Sequence, residues 1–181
     1  MDEYEQELKI PKERIAVVIG TNGKTKSKIE KETNTKVDIS KEGLVEIVSD
    51  NSLDSWIARQ IVKAIGRGFS PEHAFMLLDE SSSFELIEMK DWAKNESQMK
   101  RLKGRVIGED GKSKRTIEQL TDTHISVYGK TIGILGDSAD VQTSRKAIEM
   151  LLSGARHATV YNLLENEQKK KKKLEFMDGE E

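Results

Sequence analysis

The sequence predicts an α+β protein built from two copies of one small domain, and three observations carry that expectation. First, Val18-Ile19-Gly20-Thr21-Asn22-Gly23-Lys24-Thr25-Lys26 returns as Val106-Ile107-Gly108-Glu109-Asp110-Gly111-Lys112-Ser113-Lys114. An offset of 88 positions relates the two and also pairs Ile29 with Ile117, Glu30 with Glu118, Thr33 with Thr121 and Thr35 with Thr123. Ten of the 22 positions in 18–39 are identical at that offset, which marks an internal repeat. Second, hydropathy and turn signals follow one order in both copies: strand, helix, turn, helix, strand, strand, helix. Third, only 5% of residues are aromatic, so any core is made of Ile, Val, Leu and Ala.

In the first copy, residues 7–10 form a short extended run and 12–18 a helix. The turn at 20–23 leads to a second helix at 24–33, whose buried side is set by Ile29. Residues 35–40 alternate, with Val37 and Ile39 on one side, as a half-buried strand does. Lys41-Glu42-Gly43 is turn chemistry, 44–48 a further strand, and Asn51 or Ser52 caps a helix over 53–65 that Gly66 and Gly68 close. Between the copies, Ser70-Pro71-Glu72 reads as N-cap, first-turn proline and acidic first turn of a short helix. The second copy places strands at 84–89, 124–127 and 132–135, and helices at 97–106, 112–120 and 138–152. A last helix over 157–165 precedes the run Lys169 to Lys173. That run is either a source of non-specific phosphate contacts or a frayed tail balanced by Asp178, Glu180 and Glu181. Domain bounds follow: first domain 1–68, linking helix and loop 69–82, second domain 83–154, C-terminal helix and charged tail 155–181. Trp56 is assigned to core or inter-domain packing, and Trp92 to the core in preference to RNA.

Charged residues make up 34% of the chain and nearly cancel, at a formal net charge of −2. A bulk polycation is thereby excluded, and contact with nucleic acid has to come from local clusters. With no cysteine, disulfide and thiolate chemistry and Cys-bound zinc are excluded. No apolar run reaches the ~20 residues of a membrane span, and the start at Met1-Asp2-Glu3 is acidic where a signal peptide is basic. A cytoplasmic protein is expected. His73, His124 and His157 match no ligand spacing, and no acid–base or nucleophile constellation stands out. No metal, no cofactor and no catalytic residue is expected.

The glycine turns carry the chemistry. In I-G-x-x-G between two helices, the glycines permit positive φ and remove Cβ atoms, so a sugar–phosphate backbone can approach the main chain. The following helix aims its N-terminal N–H groups and positive dipole end at the phosphate. Lys24 and Lys26, or Lys112 and Lys114, add positive charge. Bases then lie in the groove beside the helices and strand edge, against Ile and Val side chains. This is how KH domains hold about four nucleotides of single-stranded RNA. One such turn is common between helices; two, at equal positions in copies with this element order, identify tandem type I KH domains. Each is expected as a three-stranded antiparallel sheet with three helices packed on one face. A nucleotide-binding P-loop fails, because it needs glycine at 18 and at 106, where both copies have valine, and a strand where both have a helix.

The candidate RNA contacts are Ile19, Gly20, Thr21, Asn22, Gly23, Lys24, Lys26 and Val37 in the first copy. In the second they are Arg105, Ile107, Gly108, Glu109, Asp110, Gly111, Lys112, Lys114 and Arg115. Glu109 and Asp110 set two carboxylates where a phosphate would sit, opposing it by about 1 kcal/mol or more. Two readings stay open for that copy: a scaffold that has lost its phosphate grip, or a site whose field is recovered by Arg101, Lys103, Arg105, Lys112, Lys114 and Arg115.

Beyond the general KH pattern, Lys103-Gly104-Arg105-Val106-Ile107-Gly108 with Gly111-Lys112-Ser113-Lys114-Arg115-Thr116-Ile117-Glu118 is similar to the second KH domain of the Dim/Pno-type ribosome assembly factors. Ile132-Gly133-Ile134-Leu135-Gly136, Ser153-Gly154 and Val160-Tyr161 continue the likeness, and the first copy resembles the archaeal form. The resemblance implies binding to the 3′-terminal region of small-subunit rRNA during ribosome maturation. It also implies partnership with the endonuclease that trims that end or with a translation initiation factor. The eukaryotic members have a basic second turn and a degraded first. Here the first is intact and the second acidic, so both copies are expected to contact RNA, the first more strongly. A monomer is expected, with protein docking as the alternative role.

Overall fold

The computed structural model describes residues 3–178; Met1, Asp2 and 179–181, which include the acidic Glu180 and Glu181, lie outside the described residues. The chain divides into two compact units, Met1–Phe84 and Glu85–Glu181.

The first unit runs β1 (Tyr4–Lys9), α1 (Lys12–Ile19), α2 (Lys24–Thr33), β2 (Lys36–Ile39), β3 (Leu44–Ser49), α3 (Ser52–Gly66) and α4 (Pro71–Ala74). Its antiparallel sheet has the order β1-β3-β2, with Leu8 opposite Val45 and Val37 opposite Ile47. β1 begins at Tyr4, earlier than its apolar residues suggest, because main-chain pairing with β3 holds a mostly exposed edge strand whatever its side chains. In β3 the buried Val45, Ile47 and Ser49 alternate with less buried residues, so one sheet face meets the helices. Asn51 caps α3 by accepting from the N–H of Leu53 at 2.8 Å, and Ser70 caps α4 by accepting from the N–H of His73. Arg14 in α1 donates to the carbonyls of Ile65 and Phe69, both at 2.8 Å, and so ties α1 to the end of α3. Trp56 is not part of the core, the first of its two expected roles: it lies on the outer side of α3 and is 52% exposed.

The second sheet has the order β4-β6-β5, from β4 (Ser82–Glu88), β5 (His124–Tyr128) and β6 (Thr131–Asp137). Its helices are α5 (Glu96–Ile107), α6 (Lys112–Thr121), α7 (Ser138–Leu152) and α8 (His157–Asp178). The core gathers Leu102, Val106, Ile117, Ile134, Ile148 and Leu164, with Trp92 packed against it, as expected. β6, the central strand of its sheet, is buried over six consecutive residues from Thr131 to Gly136. Arg145 on α7 donates to Glu85 at 2.7 Å and Glu149 at 2.9 Å, fastening α7 to β4.

The lysine run differs from a frayed tail. α8 is one helix of 22 residues that carries Lys169 to Lys173 within it. Lys171 donates to both carboxylate oxygens of Asp140 at 2.8 Å, and Asp140 is largely buried. Lysine is a good helix former, and this tie fixes the helix to α7.

The linkers between the paired helices are nearly superimposable in dihedral space. Gly20 and Gly108 have φ 74 with ψ 172 and 176, a region open essentially to glycine alone. A Cβ on Gly20 would stand 2.8 Å from the backbone nitrogen of Thr25, and one on Gly108 2.7 Å from that of Ser113. Asn22 and Asp110 are left-handed at φ 53 and 50, followed by Gly23 and Gly111 at φ 73 and 76. A Cβ on Gly23 would meet nothing within 4 Å.

Two outcomes follow for stability. Gly20→Ala lowers the unfolding free energy by about 2 kcal/mol or more, from strain and collision together, whereas Gly23→Ala costs only about 1–2 kcal/mol; denaturant unfolding of both variants measures the difference. The Asp140 carboxylate, through its hydrogen bonds, holds the Lys171 pKa above its ordinary value. A raised pKa means that the stabilisation is present below the usual lysine range, near about 10.4, and lost as pH climbs through the folded value. Circular dichroism should therefore report loss of helix above that range in the native chain and a weaker pH dependence in Asp140→Asn.

Candidate nucleic-acid interface

Each turn ends on a helix whose first N–H groups have no partner within that helix. At the start of α2 the surface is open: Thr21, Asn22 and Lys24 are exposed and Gly23 carries no side chain. Lys24 makes no ion pair among the described residues. The Lys24 N–H is bonded to the Thr21 carbonyl within the turn, so the helix's positive end, the absent Cβ of Gly23 and an unpaired ammonium are what suits an anion. Ile19, half-buried at the end of α1, adds apolar surface beside the turn.

The helix after each turn is locked to the next strand by the same set of bonds. Glu30 accepts from the N–H of Val37 at 2.9 Å, and Glu118 from that of Ile125 at 2.7 Å. Thr33 and Thr35 share a buried hydroxyl–hydroxyl bond of 2.9 Å, repeated by Thr121 and Thr123 at 2.8 Å. The residues paired by the 88-position offset are thus, beyond the glycines, the ones that hold helix against strand.

Side chains expected at the interface fall into three groups. Lys24, Lys112 and Arg115 are exposed and unpaired, and the guanidinium of Arg115 lies beside Gly111, 3.0 Å from where a Cβ would stand. Lys26 and Lys114 are partly engaged, at 3.9 Å from Glu30 and 3.2 Å from Glu118. Val37 and Arg105 are turned to other work. Val37 is 1% exposed and belongs to the core, leaving half-buried Ile39 as the apolar side chain that β2 offers. Arg105 donates to the carbonyl of Ala155, just before α8, while its own carbonyl contacts the ring of His157 at 2.8 Å. It therefore does for the second unit what Arg14 does for the first. Glu109 and Asp110 are exposed at the second turn, as expected, and Ile107 is half-buried. Asp110 has a reason unrelated to charge: Asn and Asp are the side chains that best tolerate the left-handed backbone required there.

Among the described residues no group of His, Cys, Asp and Glu has the arrangement of a metal site. No helix of the described residues is long and apolar enough to cross a membrane.

Comparison with known proteins places this geometry. Residues 5–64 match the KH domain, and residues 83–169 match the eukaryotic type KH-domain (KH-domain type I), in its form as the second such domain of PNO1 proteins. A KH domain-containing protein of Methanocaldococcus jannaschii is 47% identical over 173 residues, which cover 93% of this chain and 76% of that protein. The pre-rRNA-processing protein PNO1 of Chaetomium thermophilum is 33% identical over 121 residues, 65% of this chain but only 46% of that protein, so this chain matches less than half the length of that relative. Among solved structures, the complex of a/eIF2alpha, aDim2p and rRNA from Pyrococcus horikoshii contains a chain that is 44% identical, with a TM-score of 0.86, covering 93% of this chain and 96% of that one. Two KH folds in tandem, a PNO1-type second domain and relatives that extend over nearly the whole chain lead to one conclusion: this chain belongs to the Dim/Pno-type family of tandem KH-domain proteins.

Proposed function

We propose that the chain binds single-stranded RNA in the maturation of the small ribosomal subunit and recognises the 3′-terminal region of the small-subunit rRNA. The observation that carries this reading is the open first turn, where Gly23 leaves the start of α2 without a side chain beside the unpaired Lys24. The interface supports contact through Ile19, Gly20, Thr21, Asn22, Gly23, Lys24 and Lys26 in the first copy. Ile107, Gly108, Gly111, Lys112, Lys114 and Arg115 serve in the second. No chemical step is assigned to the chain: it presents an RNA end to other factors without transforming it. A translation initiation factor and the 3′-end endonuclease are the protein partners that suit this role, in the cytoplasm. The complex containing aDim2p, rRNA and a/eIF2alpha supports the first of these.

A second reading, protein docking with little RNA preference, is favoured by the exposed Glu109 and Asp110. One measurement separates the two. Affinity is compared for a short single-stranded RNA copying the rRNA 3′ end and for its scrambled counterpart, using the native chain and Thr21→Asp with Asn22→Asp. Asp110 already adopts the left-handed conformation of Asn22, so the change at 22 adds charge without backbone strain. Preference for the true sequence, reduced about tenfold or more in the variant at unchanged melting temperature, is expected; Lys24→Glu should act in the same direction. Equal and steeply salt-dependent binding to both RNAs would transfer support to the docking reading.

A further inference from the structure

Arg145 in the second unit is held by two carboxylates, and its counterpart in the first unit has lost both. α3 and α7 are each 15 residues long and align from their caps, Asn51 with Asp137. That alignment pairs Leu53 with Ala139, Trp56 with Gln142, Arg59 with Arg145 and Lys63 with Glu149. Ile10 and Met89 donate alike to the carbonyls of Gly43 and Lys130, both at 2.9 Å, which aligns β1 with β4 and sets Gln6 where β4 has Glu85. In the second unit Gln142 and Arg145 both donate to Glu85, and Arg145 donates also to Glu149. That face of α7 is thereby closed by its own strand. In the first unit glutamine and lysine replace the two carboxylates, and Arg59 makes no ion pair among the described residues.

The rest of this face is apolar and uncovered. Trp56 is 52% exposed, and Leu53, one turn before it, 57%. Tyr4, on the same side of β1 as Gln6, is 42% exposed. Aromatic side chains and arginine are the residues that carry most of the energy at protein interfaces. We propose that this face of α3 and β1 docks a segment of a partner protein in which one Asp or Glu sits among apolar side chains. The carboxylate takes at Arg59 the place that Glu85 and Glu149 hold at Arg145, suited to the guanidinium's paired donors. The apolar side chains cover Trp56 and Leu53. A polyanion fits less well. Glu5 and Glu7, the neighbours of Gln6, are exposed, and Asp54 lies in the first turn of α3, so a run of phosphates meets their charge at a range that salt screens little.

This surface includes neither glycine turn, and it holds whether or not RNA binds there. The probe is a random peptide library displayed on phage, panned on the full chain after subtraction on Trp56→Ala. Enriched peptides should carry an Asp or Glu next to apolar residues. A synthetic peptide of enriched sequence should bind Trp56→Ala and Arg59→Gln about tenfold or more weakly, each at a melting temperature near that of the native chain. Lys63→Glu returns to Arg59 a carboxylate like the one Glu149 gives Arg145, and should weaken the peptide in the same way. Affinity for the short RNA that copies the rRNA 3′ end should be unchanged in all three variants. Failure to enrich a Trp56-dependent peptide, enriched peptides without an acidic residue, or full peptide affinity in Lys63→Glu each overturns the proposal. Loss of RNA affinity in Trp56→Ala also overturns it and assigns the face to nucleic acid. A dimer of the native chain in sedimentation that Trp56→Ala abolishes overturns it too, and assigns the face to a second copy.

Discussion

Two helices lying side by side have to be joined by a chain that reverses within four residues and bonds its own amides on the way, Gly23 to the Gly20 carbonyl and Lys24 to that of Thr21. That steric requirement governs each copy. It places Gly20 and Gly108 in a region closed to other residues, puts positive φ on the two residues before α2 and α6, and admits only a small set of side chains at positions 22 and 110. The open helix start that results is a structural end and, in the proposed function, also the anion site. The same geometry therefore answers to folding and to ligand, and neither demand can be relaxed by itself.

The turn would be useless if the helix behind it could pivot. A carboxylate that accepts a main-chain N–H makes a charge-assisted bond, of about 1.5–3 kcal/mol. Glu30 and Glu118 each make one to the following strand, and each buried threonine pair closes the end of the helix below it. These contacts use atoms that the apolar pattern ignores, yet they recur at a fixed spacing. Duplication preserved the lock along with the turn, while the charges on the turn drifted apart.

This explains what the sequence made legible. The glycines, the order of elements and the caps at Asn51 and Ser70 each depend on a few neighbouring residues, and so can be read from a line of text. Arg105 and Val37 could not be placed that way. A basic residue beside a phosphate turn looks like a ligand contact, and only the return of the chain at Ala155, 50 residues later, shows the carbonyl that claims it. Val37 is covered because β3 and the helices close over it, a fact of layering, whereas Trp56 sits on a helix face that nothing within its unit covers. The lysine run was ambiguous because helix and solvated tail share a composition; the partner that decides, Asp140, comes from α7.

The first turn also has a consequence for how the protein ages. Asn followed by Gly is chemically fragile, because the glycine nitrogen can attack the asparagine side chain, expel ammonia and leave an aspartate or isoaspartate. Here the Gly23 N–H is engaged with the carbonyl of Gly20 at 3.1 Å, and Asn22 is held at ψ 30, away from the strongly negative ψ that brings the glycine nitrogen onto the side-chain carbon. The compact turn thus shelters its own amide. A lost amide at Asn22 would write into the first copy the carboxylate that the second already carries at Asp110, and the durability of that one bond helps keep the two copies electrostatically distinct.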